Sequence, residues 1–181
     1  MEPPRVTSSR VVYENRWIRV HEDRTEHADG TPGLYAWVEK PPAALIVPRD
    51  GEHVWLIEQY RHPVGARFWE FPMGAWEDEP GADPEVLARG ELAEETGLRA
   101  GRMEHLGRLF FLYGLANQPF DVWLATELSA GERAPEATEA DLRVARVSVD
   151  ELEAMIDRGE IQDAATVAAW HLACRTSTAA G

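Results

Sequence analysis

Between Val11 and Val47 the chain runs through short segments rich in β-branched and aromatic residues: RVVYENRWIRVHEDRT, then LYAWVEK, then the apolar run AALIV closed by Pro48. Such content over short runs predicts strands rather than helix. Asp50-Gly51 then joins AALIV to HVWLIEQY, a hairpin signal. Four strands are therefore expected before the first helix. The next segment, RHPVGARFWEFPMGAWEDEPGA, is broken repeatedly by Gly and Pro and reads as a loop. It leads to Asp83-Pro84-Glu85, a capping residue followed by proline at the first helical position, and Gly97 supplies the usual left-handed cap at the other end. A helix is predicted between them.

Beyond that helix HLGRLFFLYG, PFDVWLATEL and LRVARVSV read as three further strands. Two helices close the chain, DELEAMIDRG capped by Ser148 or Asp150 and AATVAAWHLACR capped by Asp163, before a frayed TSTAAG tail. Runs of strands with one central helix and two at the end predict an α+β fold in which a mixed sheet lies between helices. A Rossmann arrangement is not expected, because regular βαβ alternation and a GxGxxG turn are both absent.

Composition narrows the partners. A length of 181 residues with 44% hydrophobic content suits one domain with its own core. The single cysteine, Cys174, cannot form an intramolecular disulfide, and no Cys/His group has zinc-ligand spacing, so a reducing, cytoplasmic setting is expected. The amino terminus lacks a signal-peptide apolar region and no stretch approaches the roughly 18 apolar residues of a membrane span. No membrane partner is expected. A net charge of −14 repels nucleic acid backbones, and a small anionic ligand would need local arginines or a metal ion to screen it.

The chemistry concentrates in Gly90-Glu91-Leu92-Ala93-Glu94-Glu95-Thr96-Gly97-Leu98. At roughly 100° per residue, Glu91, Glu94 and Glu95 share one helix face. Clustered carboxylates repel, and two of them sit near the helix C-terminus, where the macrodipole disfavours anions by about 0.3 to 1 kcal/mol each. The cluster asks for a cation, and hard oxygen ligands on a rigid helix suit magnesium. The competing reading is a solvated acidic face. Against it stands the opposite side of the helix, Val86, Gly90, Ala93 and Gly97, which is small and apolar as though packed against a sheet or loop.

At this point the segment resembles the Nudix family, whose box runs G-x5-E-x7-R-E-U-x-E-E-x-G-U, with U aliphatic. ELAEETGL matches its second half at every fixed position from Glu91 to Leu98. The first half departs: two extra residues lie between Gly74 and Gly81, Ala82 stands in place of the box glutamate and Gly90 in place of its arginine. Outside the box the chain looks most like the ADP-ribose pyrophosphatase branch, through LIEQYR at 56–61, WEFPMG at 69–74 and the closing GEIQDAATVAAWHL.

The resemblance implies a Nudix-type α/β/α sandwich over 41–176, an N-terminal antiparallel strand region over 1–40 that serves dimerisation, and a frayed tail at 177–181. It implies metal ligands at Glu91, Glu95 and the Met73 carbonyl, with Arg61 on a substrate phosphate and Glu70 on the substrate or its ribose. Trp17 is a candidate for stacking on the base, with core packing as the role expected first. A divalent cation, magnesium or manganese, would screen the diphosphate and activate a water. Glu94, Glu95 or an acid of the 136–141 loop (Glu136, Glu139 or Asp141, with Glu139 taken first) would accept the proton. The expected substrate is a nucleoside diphosphate derivative such as ADP-ribose or a nucleotide sugar, the protein a homodimer.

Two further readings stay open. Ala82 and Gly90 allow a nucleotide-binding sensor that has lost catalysis. The loop Tyr113–Gln118, where the branch carries a proline-glycine pair, allows a Nudix enzyme for dinucleoside polyphosphates or another nucleotide.

Overall fold

A computed structural model describes residues 2–76, 78–79, 81–131 and 141–178. Strands β1 (Arg5–Glu14), β2 (Arg19–Glu26) and β3 (Pro32–Glu39) pair antiparallel in that order as a separate three-stranded sheet. The stretch expected as a single strand from Val11 is thus two strands. Asn15 divides them: its Oδ1 accepts the N–H groups of Trp17 at 2.8 Å and Ile18 at 3.0 Å, a side-chain mimic of a backbone turn.

Among the described residues the main sheet has seven strands. β10 (Arg143–Ser148), β5 (His53–Arg61), β4 (Ala43–Asp50), β9 (Pro119–Ala130) and β8 (Leu98–Phe110) lie side by side. The short β6 (Ala66–Glu70) pairs with β5 and β7 (Met73–Gly74) with β4. Only β4 and β9 among these pairs run parallel, so the sheet is mixed. Among the described residues seven strands, not four, precede the first helix, because the first stretch divides into β1 and β2 and because β6 and β7 form inside the segment read as a loop. Pairing with β5 and β4 stabilises strands of five and two residues that would not stand alone.

Side-chain alternation along β4 builds the layers. Ala43, Leu45 and Val47 face one core with α2 (Val149–Asp157) and α3 (Ala164–Thr178), through Leu152, Met155, Ala169 and Trp170. Ala44 and Ile46 face the other with α1 (Pro84–Thr96), through Leu87, Ala88 and Leu92. A strand buried on both faces reads as a continuous apolar run, which AALIV is. The expected sandwich of helices around a mixed sheet is what the chain forms.

Caps set the helix ends. Asp83 accepts the N–H groups of Glu85 and Val86, and Gly97 turns left-handed at φ 74° and feeds β8 directly. Of the two caps offered for α2, Ser148 is the one used, accepting from Glu151 N–H at 3.1 Å. Asp163 caps α3 by accepting from Thr166 N–H at 2.7 Å. That helix continues to Thr178, so the tail expected to fray from residue 176 is helical for three residues more; 179–181 lie outside the described residues.

The two sheets are joined by the loop between β8 and β9. Val38 N–H donates to the Leu115 carbonyl at 2.8 Å and Asn117 N–H donates to the Val38 carbonyl at 3.1 Å. Lys40 N–H donates to Asn117 Oδ1 at 3.1 Å, and the Gln118 side chain to the Pro41 carbonyl at 3.0 Å. Among the described residues no helix is long and apolar enough to cross a membrane.

Candidate active site

A cavity of about 870 Å3 opens between the two sheets and α1, within the range of small-molecule sites. Glu91 and Glu94 line it from α1, Met73 and Gly74 from β7, and Arg61 and Glu70 from β5 and β6. Arg16, Trp17 and Lys40 reach it from the N-terminal sheet and the linker behind it.

The acidic helix face is not uniformly solvated. Glu91 is 5% exposed and Glu95 only 1%, whereas Glu94 is half-buried. Glu95 does not line the cavity; its Oε2 accepts the Met73 N–H at 2.9 Å and pins β7 to the helix. Glu91 lies against the backbone of Gly74, where a Cβ would fall on its carboxylate. Gly74 is therefore needed for close approach rather than for a turn.

The face expected to pack, Val86, Gly90, Ala93 and Gly97, does so only in part. Val86 is 54% exposed, and Leu87, Ala88, Glu91, Leu92 and Glu95 are the buried positions. Gly90 is tightly covered, by the Trp76 indole. The helix has rolled so that its two best-buried glutamates face β7.

Arg61 and Glu70 are partners. Glu70 is 2% exposed and accepts from Arg61 through both oxygens, and from Gln59 Nε2 at 2.7 Å. Burial pushes the Glu70 carboxyl above the ordinary carboxylate range, outweighing the pull of Arg61 and Gln59, with Asp163 adding to the rise. A carboxyl whose folded pKa is raised is most stabilising below its unfolded pKa and loses that contribution as pH rises through the folded one. Glu70→Gln should therefore remove a loss of stability that the wild type shows from about pH 4.5 upward. Denaturant unfolding of both proteins between pH 4 and 8 checks it, and a pH-independent difference would contradict the burial argument.

Trp17 is 51% exposed, which rules out the core-packing role. The Asn15 turn presents it to the cavity of its own chain, with the Arg16 guanidinium 5.1 Å from its ring centroid. Asp141 lies away from the cavity and pairs with Arg67, which also binds Glu58 at 3.1 Å. The Arg67 hydrogen bond, more than burial opposes it, holds the Asp141 carboxyl below its usual range. Glu136 and Glu139 lie outside the described residues.

Sequence reasoning missed Lys40, Phe68, Trp76, Phe111 and Gln118 on the cavity wall and treated Asp163 only as a cap. Lys40 and Gln118 are brought in by the inter-sheet loop, which carries no local signal. A tryptophan two residues after Gly74 was a signal available for Trp76.

Comparison with known proteins bears directly on this geometry. A NUDIX domain matches residues 39–170 and a nucleoside diphosphate sugar hydrolase N-terminal domain matches residues 5–38. The chain belongs to the Nudix family. It is 35% identical to an ADP-ribose pyrophosphatase of Mycobacterium tuberculosis over 69% of its own length and 60% of the relative's. It is 28% identical to an ADP-ribose pyrophosphatase of Bacillus subtilis over 86% of its length and 84% of the relative's. The fold of a crystal structure titled ADP compounds hydrolase covers all of this chain and 97% of its own, with a TM-score of 0.89 at 21% identity.

As a Nudix protein the chain carries the intact half of the box on α1, and Glu91 and Glu94 there face the cavity. Among the described residues no three His, Cys, Asp or Glu side chains form a complete metal cage. The donors on offer are carboxylates set against a cradle at Gly74 that a Cβ would fill. That set suits a hard divalent cation which completes its shell with backbone oxygen, water and substrate phosphate.

Proposed function

We propose that this Nudix protein hydrolyses the diphosphate of a nucleoside diphosphate derivative, ADP-ribose or a nucleotide sugar, to a nucleoside monophosphate and a sugar phosphate. The observation that carries this reading is one cavity holding Glu91 and Glu94 together with Arg16, Lys40 and Arg61. Acids suit a cation and bases suit phosphates. The relatives named ADP-ribose pyrophosphatase support the same chemistry.

Magnesium, with manganese as a substitute, would be held by Glu91, by Glu95 and by the Met73 carbonyl, and would supply charge neutralisation at the diphosphate. Glu95 fixes the Met73 backbone through its hydrogen bond, so the ligand positions on β7 and α1 are held in register. Glu94, half-buried in the cavity wall, is the proposed proton acceptor for the attacking water; Glu95 and Glu139 are the alternatives. Arg61 is tethered by Glu70 yet 40% exposed, which leaves guanidinium surface for a phosphate oxygen. Trp17 stacks on the base, and Glu70 orders the nucleoside side through Arg61 and Gln59.

Residues 1–40 would serve dimerisation, and Cys174 would sit in a cytoplasmic, reducing setting. Strand β1 is exposed along its whole length, with Val6, Val11, Val12 and Tyr13 in the open, and Leu34 and Tyr35 on β3 add to that apolar surface. A second copy of the chain covering it should give twice the 20.3 kDa chain mass by light scattering. A monomer at micromolar concentration would remove the dimer from the proposal.

Incubation with magnesium or manganese and ADP-ribose, sugar nucleotides, dinucleoside polyphosphates or nucleoside triphosphates tests the activity. Release of nucleoside monophosphate from the first two is expected. Turnover confined to dinucleoside polyphosphates would redirect the substrate, and tight binding without turnover would establish the sensor reading instead.

A further inference from the structure

Trp76 is the feature of the cavity that the function has not absorbed. A Cβ on Gly90 would stand 2.9 Å from Trp76 Cη2 and closer still to Cζ2, so the indole rests on the helix where a side chain would be. Gly90 and Glu94 are one turn apart on the same stripe of α1. The indole therefore sits beside the cavity carboxylates, two residues along the chain from the Gly74 that cradles Glu91.

The indole also packs against the core cluster containing Leu87, Ala88 and Leu92, which fixes its orientation. It lines both the main cavity and a second pocket of about 190 Å3 that Ala82, Pro84 and Leu87 bound. Trp76 and Ala43 line both.

We propose that the face of Trp76 is the surface on which the sugar beyond the diphosphate rests, making it a specificity-determining residue. This rests on the function proposed above. Trp76 is held beside the acids that would hold the cation at the diphosphate, and a sugar is joined to each end of that diphosphate; with Trp17 and Arg16 meeting the nucleoside end, the indole is left to the sugar at the far end. The base lies a whole ribose further away, and Trp17 with Arg16 meets it from the other sheet. Sugars offer a flat C–H face that packs well on an indole.

Isothermal titration of AMP and of ADP-ribose into wild type, Trp76→Ala and Trp76→Phe separates the possibilities. Calcium in place of magnesium supplies oxygen coordination with looser geometry during the titration. Trp76→Ala is expected to weaken ADP-ribose about tenfold while AMP stays within about twofold, and Trp76→Phe to recover most of the loss. In steady-state assays Trp76→Ala raises KM more than it lowers kcat and narrows the preference between ADP-ribose and bulkier ADP-sugars.

Equal weakening of AMP and ADP-ribose would make Trp76 a brace for α1 and overturn the proposal, as would no change in either. If wild type binds ADP-ribose no more tightly than AMP, the sugar surface does not exist. A wild type that shows the expected affinities but hydrolyses nothing defeats the catalytic reading and leaves the Trp76 assignment standing on the titrations. Should Trp76→Ala fail to fold, Trp76→Leu and Trp76→Phe carry the same comparison.

Discussion

Glu91→Gln lowers kcat for ADP-ribose by at least about a hundredfold, equivalent to about 2.7 kcal/mol of transition-state stabilisation, at little cost to folding. The substitution is isosteric, so contact with Gly74 survives and no cavity opens. What disappears is a negative charge at a position 5% exposed and facing the substrate cavity. A cation at a diphosphate contributes several kcal/mol, and weakening its hold forfeits much of that. Because a buried carboxylate is expensive to desolvate, the unfolding midpoint should stay level or rise slightly. Steady-state kinetics with a thermal melt on the same sample decide the matter. Retention of more than a tenth of wild-type kcat would remove Glu91 from the metal site.

Gly74→Ala has nearly the same effect on turnover without touching an acid. The new methyl would occupy the space of the Glu91 carboxylate, while the backbone at 74 is held by pairing with Ala44 on the central strand. The strand does not yield easily, so the carboxylate is displaced. A loss of roughly ten- to a hundredfold in kcat is expected, comparable to mutating the groups that orient a metal ligand. Overpacking adds about 1 to 3 kcal/mol of destabilisation. The decisive control is the magnesium dependence: the concentration for half-maximal rate should rise in Gly74→Ala. An unchanged metal response with normal kcat would mean that the carboxylate has another place to sit.

Features set by neighbours in sequence were legible before any coordinates. The caps of α1 at Asp83 and Gly97 and the Asp50-Gly51 hairpin were read from two or three adjacent residues, and each formed as read. The double burial of β4 was visible in AALIV. Features set by distant partners were not. Strands β6 and β7 depend on β5 and β4, and nothing within RFWEFPMG announces either pairing. The roll of α1 depends on Trp76 meeting Gly90 and on Glu91 meeting Gly74, contacts across a loop of changed length. A reading of the helix alone therefore chose Val86 for the packed side and set Glu91, Glu94 and Glu95 on one face without showing that Glu95 also holds the Met73 N–H. The same limit applies to Arg61, whose sequence neighbours say nothing of the buried Glu70 nine residues on.

The loop from Leu112 to Gln118 has a consequence for how the molecule divides. The two matched segments meet between residues 38 and 39, and Val38 is the residue that the loop grips from both sides. Arg16 and Trp17 belong to the first segment, the glutamates to the second, and Lys40 stands at the seam. A boundary that separates two sequence modules thus crosses the wall of one cavity. Among the described residues the first module gives that wall Arg16 and Trp17, and the stitching at Val38 keeps them in register with the rest.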